Sequence, residues 1–303
     1  MWFDEMPGKA WTGMDVPRYV TRFYGKTDFV LDVIEKQQIA FIHTSLLNDP
    51  FDLYCFFETD FGDNYSRLIQ HVKEHHPANV GWFRTHVTAL SWIKTVKELK
   101  AHLEKVRRTT FVLSTSAVSP SLHPKNNLYM WGHYGNGHRG VAIEFDTVAL
   151  ENAVLAQHAA VNGKPFDEGG VWAQMEYARS FSPIVAEDIY DFMKQEKDVM
   201  EGRVTERRAT RLDRYYNRMS IVKSDVWRSE NEWRLMWRSD ETADTIYKSP
   251  ITQDCIAAIY LGLSLPQDAE NQIVSSARSG FPKAKIMKAS KRHGDLALDF
   301  RQV

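Results

Sequence analysis

The segment KSDVWRSENEWRLMW, residues 223–237, carries the strongest chemical constellation in the chain. An extended backbone sends alternate side chains to opposite faces. Glu230, Glu232 and Arg234 then share one side, and Trp233, Leu235 and Trp237 share the other. Burying the tryptophan side against a core fixes how the carboxylates are presented. Two adjacent carboxylates repel, which raises one pKa and gives an unequal pair suited to acid–base work or to stabilising a cation. The same spacing also fits an edge strand whose charged face is merely solvated. With Glu232 on the polar face of its strand, Glu232→Gln is expected to shift stability by under about 0.5 kcal/mol. Trp233→Ala, on the apolar side, is expected to cost about 3–5 kcal/mol.

Weaker constellations surround this one. Ser114, Thr115 and Ser116 lie inside a strand-like run, where hydroxyls bond a ligand or a neighbouring backbone. Trp131 and Tyr134 flank a glycine-rich loop, as a stacking surface or as ordinary packing. Asn48, Asp49 and Asp52 in NDPFD read best as turn chemistry. His71 and His75 fall one helical turn apart, but no third ligand is near in sequence, so a solvated helix face is favoured and no metal is expected. His133 and His138 are no stronger. Arg203, Arg207, Arg211, Arg214 and Arg218 recur at helical spacing beside Tyr215 and Tyr216. They form a phosphate or nucleic-acid track or, since Glu201, Glu206 and Asp213 dilute the charge, a solvated ion-paired face.

These residues must be held by a core, and the chain has enough apolar residues to build one, with 303 residues of which 43% are hydrophobic. Lys and Arg total 38 against 39 Asp and Glu, so any attraction to nucleic acid must be local. Two cysteines make no disulfide framework. No apolar run approaches a membrane span and the first residues are no signal peptide, so a soluble, cytoplasmic protein that does not engage membranes is expected. The pattern predicts strands over 20–25, 39–45, 109–119, 140–146, 169–178, 233–237 and 255–262. Helices are predicted from Thr27 or Asp28 (as N-cap) onward, over most of 65–108, over 147–160, from about Ala186 to Lys223, and up to Gly280. Strands and helices mix without a strict alternation. The expectation is one α+β domain over 1–303, with a central mostly antiparallel sheet and an Arg-rich helical insertion at about 183–223.

The blocks LLNDPFD, TFVLSTS, LYMWGHYGNGHRGVAIEFD, KSDVWRSENEWRLM and AAIYLG, in this order, resemble a bacterial family labelled domain of unknown function 2971. That resemblance implies a fold relation and no reaction. A second, more distant likeness is to arginine-serine-glutamate ADP-ribosyltransferases, which carry an Arg on an early strand, S-T-S on a strand and E-x-E before a strand. It implies a related fold and NAD as substrate, with Arg22 holding the cofactor and Ser114, Thr115 and Ser116 shaping the nicotinamide pocket. Trp131 or Tyr134 would stack on the nicotinamide, Glu232 would face the ribosyl cation, and Glu230 would steer an acceptor of protein, nucleic acid or water. It further implies a bacterial toxin or antiphage effector. The gap between S-T-S and E-x-E is longer here than in that class. Two other readings stand beside it: a metal-dependent nuclease using Asp49, Asp52, Glu144 and Glu232, and a non-enzymatic binding or sensor module in which E-x-E-W-R is an ion-pair ladder.

Overall fold

A computed structural model describes residues 15–54, 56–57, 60–117, 123–162, 171–180, 183–203, 221–238 and 246–303. In chain order the elements are β1 (Tyr19–Tyr24), α1 (Thr27–Glu35), β2 (Gln38–His43), α2 (Phe61–His75), α3 (Val80–His86), α4 (Ala89–Thr109) and β3 (Thr110–Ala117). Then follow α5 (Leu128–His133), β4 (Val141–Asp146), α6 (Thr147–Asn162), β5 (Val171–Gln174), β6 (Glu176–Ala178), α7 (Ala186–Met200) and β7 (Val222–Ser224). The chain closes with β8 (Glu232–Arg238), β9 (Ile246–Pro250), β10 (Ile256–Leu261), α8 (Gln267–Gly280), β11 (Lys285–Lys291) and β12 (Leu298–Gln302). The fold is α+β about a central, mostly antiparallel sheet. Two compact units emerge: Met1–Leu46 with Thr110–Tyr177 and Asp225–Val303, and Leu47–Thr109 with Ala178–Ser224.

The first unit is built on a sheet of ten strands, ordered β12-β11-β10-β4-β1-β3-β2-β9, with β8 on β3 and β5 on β8. Among the described strands of this sheet only β10 and β11 pair in parallel, and α8 makes that crossover as parallel strands require. Strand β3 carries β8 along one edge, while its other edge meets β2 at Phe111 and Val112 and β1 at Ser116 and Ala117. The sheet therefore forks between β1 and β2, and Arg22 closes the fork by donating from Nη1 to the Ala40 carbonyl at 2.8 Å.

One face of the sheet is the main core. Val20, Ile143, Phe145, Leu113, Trp233, Leu235 and Ile259 meet the buried sides of α1, α6 and α8, through residues such as Val33, Leu150 and Ile273. Helix α1 begins after Lys26, whose side chain makes no capping bond, rather than on a Thr27 or Asp28 cap. On the opposite face Phe23, Trp131, Ala142 and Tyr260 make a smaller cluster with Ala289 and Leu298. The loop GHYGNGHRG packs against backbone: a Cβ on Gly140 would lie 2.1 Å from the Tyr24 carbonyl oxygen, and one on Gly262 would lie 2.4 Å from that of His138. Its glycines permit close backbone approach, and the loop leads into a strand.

The second unit is helical. Leu68, Val72, Phe83, Trp92, Ile184, Ile189 and Tyr190 are all fully buried in it. Phe83 packs its ring 5.6 Å from Tyr190 and 5.5 Å from Tyr65. A short 3-10 turn, Pro77–Asn79, separates α2 from α3 within the largely helical span expected over 65–108. Helix α7 covers Ala186–Met200 of the long helix expected there, and Arg207, Arg211, Arg214 and Arg218 lie outside the described residues. No helix among the described residues is long and apolar enough to cross a membrane.

Candidate functional site

The candidate site lies on the second face of the sheet, and strand register assembles it. Glu232 of β8 pairs with Ser116 of β3, Ser116 with Thr21 of β1, and Thr21 with Glu144 of β4. Directly paired residues share a face, so four polar side chains form one lateral row across four neighbouring strands. With strands roughly 4.8 Å apart, the two glutamates stand about 14 Å from one another. Ser114 and Arg234 pair one step along the same face. All four residues of the row are buried, Glu144 at 9% exposure being the most open. The Ser116 hydroxyl is buried with no hydrogen-bond partner among the described residues.

At one end of the row, Arg234 grips Glu232 with two hydrogen bonds, Nε to Oε1 at 2.7 Å and Nη2 to Oε2 at 3.2 Å. Both side chains are almost wholly buried, at 1% and 4% exposure. The expectation of a solvated polar strand face is therefore overturned: Glu232 and Arg234 are covered, and the guanidinium fork offsets part of the cost of burying the carboxylate. Glu230 does not share the strand with Glu232. It ends a 3-10 segment, Asp225–Glu230, and Asn231 turns the chain through a left-handed conformation at φ 43°. Asn tolerates that region better than most residues, and its side chain anchors the turn by donating to the Ala117 carbonyl at 2.8 Å.

Two phenols flank these acids. Tyr134 donates to Glu230 Oε1 at 2.5 Å, and Tyr177 accepts the Glu232 backbone N–H at 2.7 Å. Burial pushes the Tyr177 phenol far above its ordinary pKa, and the charges of Glu232 and Glu230 add to the rise. Tyr177 thus stays protonated at neutral pH and remains a donor. Tyr134, Tyr177 and Ser114 are half-buried, while the carboxylates beneath are closed off. At the other end of the row, Tyr260 donates to Glu144 Oε2 at 3.2 Å and His123 Nε2 lies 3.1 Å from the same oxygen. Burial and the Glu144 charge raise the Tyr260 phenol as well.

Of the residues expected to form a site, Ser114, Ser116, Tyr134, Glu230 and Glu232 come together. Three do not. Arg22 points from the opposite face, paired with Ile143 and lying over the Tyr24 ring at 5.4 Å. Thr115 also faces the core side, its hydroxyl bonded to the Trp233 carbonyl at 2.8 Å. Trp131 is fully buried, edge-on to Phe23 at 5.2 Å, and spends its indole N–H on the Lys125 carbonyl. It has no free face for a nicotinamide. Arg203 closes on Glu201 and lies 3.6 Å from Asp198. Among the described residues, none of Asp49, Asp52, Glu144 and Glu232 belongs to a group that could hold a metal. Sequence reasoning missed Thr21, Tyr177 and the pairing of His123 and Tyr260 with Glu144. Tyr177 and Tyr260 do lie within predicted strands, but nothing local marks which face they take.

Fold and site together define an α+β protein with a closed carboxylate, arginine and tyrosine cluster on one face of its sheet. Residues 130–235 match the family model described as Protein of unknown function (DUF2971), a span that includes Tyr134, Tyr177, Glu230, Glu232 and Arg234. No curated protein and no solved structure matches the chain.

Proposed function

We propose that the first unit is an enzyme that cleaves the nicotinamide–ribose bond of NAD and passes the ribosyl group to an acceptor. The observation that supports this most is the shared-face row Glu232–Ser116–Thr21–Glu144, with a buried Ser116 hydroxyl that has no hydrogen-bond partner among the described residues. A buried polar atom without a partner carries a cost that a bound ligand relieves. In the reaction the glycosidic C–N bond breaks, its electron pair leaves with nicotinamide, and a cationic ribosyl centre develops. A carboxylate fixed nearby stabilises that charge as it forms. The bidentate grip of Arg234 suits Glu232 to positioning. Glu230, which accepts the Tyr134 phenol and stands at the turn into β8, is assigned the role of facing the cation and taking the acceptor's proton. Ser114, Ser116 and Tyr177 supply hydrogen bonds to ribose or carboxamide. Since Arg22 serves the sheet fork, the diphosphate must find other partners.

The test is nicotinamide release from NAD by the purified chain, alone and with cell lysate, followed by the label in protein and nucleic acid. Wild type is expected to release nicotinamide, and Glu230→Gln is expected to lower turnover by about two to three orders of magnitude while remaining folded. A second reading, a binding or sensor module, draws support from the near-complete burial of the Glu232–Arg234 pair. It predicts that NAD or another nucleotide binds without turnover, a result that would remove the enzymatic reading.

A further inference from the structure

We infer that the helical unit carries a site for a divalent transition ion, of the zinc class, formed by His71, His76 and Asp191. One ligand atom from each of these three residues lies within 4.8 Å of the other two, and all three side chains are half-buried. His76 Nε2 is 3.5 Å from Asp191 Oδ1. Bond lengths of about 2.0–2.2 Å to nitrogen and oxygen in a tetrahedral shell place ligand atoms roughly 3.3–3.5 Å apart, so that edge already has the right length. His71 brings the independent sign of a missing partner, because its Nε2 is buried and makes no hydrogen bond among the described residues.

The geometry follows from how α2 and α7 lie together. Arg67 forks onto Glu187 with bonds of 2.6 and 3.2 Å. One helical turn further along each helix come His71 and Asp191, so the ion pair, beside the buried Leu68, Val72, Ile189 and Tyr190, marks the register in which they lie opposite. His76 joins because α2 ends at His75, and the chain turns there at φ −140° ahead of Pro77. Packing limits the freedom of the two imidazoles: the His71 ring stacks on His75 at 4.7 Å, and the rings of His71 and His76 lie 6.3 and 6.0 Å from that of the buried Tyr190. Lys194, whose charge reaches His76, lies 3.6 Å from Asp198, which balances it. Two imidazoles and one carboxylate favour zinc, cobalt or nickel over magnesium or calcium, whose shells are mostly oxygen. Three protein ligands leave a fourth position for water, and the ion would pin α7 to α2.

The experiment uses the full chain without a polyhistidine tag, treated with chelator and then titrated with Zn2+ by calorimetry and with Co2+ by visible absorption. One ion per chain, a cobalt spectrum of tetrahedral intensity and a melting temperature raised by Zn2+ are expected. His71→Ala, His76→Ala and Asp191→Asn should each weaken binding roughly tenfold or more, whereas His75→Ala should bind as wild type does. Asp191→Asn keeps the side-chain shape, and circular dichroism of each variant separates lost binding from lost folding. The absence of stoichiometric binding by wild type would overturn the site. So would binding that survives all three ligand substitutions, or that depends equally on His75.

Discussion

Replacing Glu232 by Gln tests the buried Glu232–Arg234 ion pair of the first unit. The carboxylate accepts both Nε and Nη2 of Arg234, and the two side chains are 4% and 1% exposed. Glutamine retains one acceptor oxygen but sets an amide NH2 against a guanidinium N–H, donor against donor, and removes a negative charge held against a fully buried cation. Breaking a buried pair from one side costs about 3–5 kcal/mol. At about 2–4 °C per kcal/mol for a chain of this order, that is a drop in melting temperature of roughly 10 °C. Urea and thermal unfolding followed by tryptophan fluorescence measure it, together with Arg234→Gln and the double variant. The double variant should be less destabilised than the two single changes added together, because two facing amides can bond each other and no charge remains. A melting temperature for Glu232→Gln within about 1 °C of wild type would mean that water reaches the pair, and the description of a closed face would be wrong.

Ser116→Ala removes a buried hydroxyl with no hydrogen-bond partner among the described residues, so stability should hold or rise slightly while NAD cleavage falls; equal activity in both proteins would take Ser116 out of the ligand's reach. Gly140→Ala forces a Cβ to within 2.1 Å of the Tyr24 carbonyl oxygen and should abolish soluble expression, whereas Gly137→Ala meets open space and strains only its φ of 59°, costing about 1–2 kcal/mol. Expression of the two variants at equal yield would refute the close-approach argument. His138, whose pKa burial holds below its ordinary 6.5, binds fewer protons folded than unfolded. Its contribution is therefore complete above pH 6.5 and is lost as pH falls from there through the depressed folded value. Urea midpoints at pH 7.5 and 5.5 should differ less in His138→Asn than in wild type, Asn being able to keep the positive φ of 66°.

What the sequence made legible, and what it did not, divides along the range of the interactions. Parity within one strand was readable: Trp233 and Leu235 do enter the core, and Glu232 and Arg234 do share the other side. Parity does not say whether that other side meets water, and here it is covered. Nor does it say which face of a neighbouring strand lines up with it. Val20, Arg22 and Tyr24 alternate with Thr21 and Phe23 in the sequence, yet only the pairing of Thr21 with Ser116 sends Arg22 away from the hydroxyls and Thr21 toward them. Strands β9, β11 and β12 fall outside the predicted strands and β7 lies at the end of a predicted helix; β9 pairs with β2 far back in the chain, and β11 reads KIMKASK, with charges at both ends and its middle. Local backbone also intervened, since the positive φ of Asn231 takes Glu230 off the strand. The helical unit repeats the pattern. His71 and His75 look like a ligand pair because they are one turn apart, but His75 is exposed and stacks beside His71. The residues that converge on His71 are His76, past the end of the helix, and Asp191, from a helix in register with α2 at the Arg67–Glu187 fork. In both units the residue type was visible in the sequence and its orientation was set by a partner far along the chain. Variants that shift register, rather than variants that remove a named side chain, should therefore disable both sites most completely.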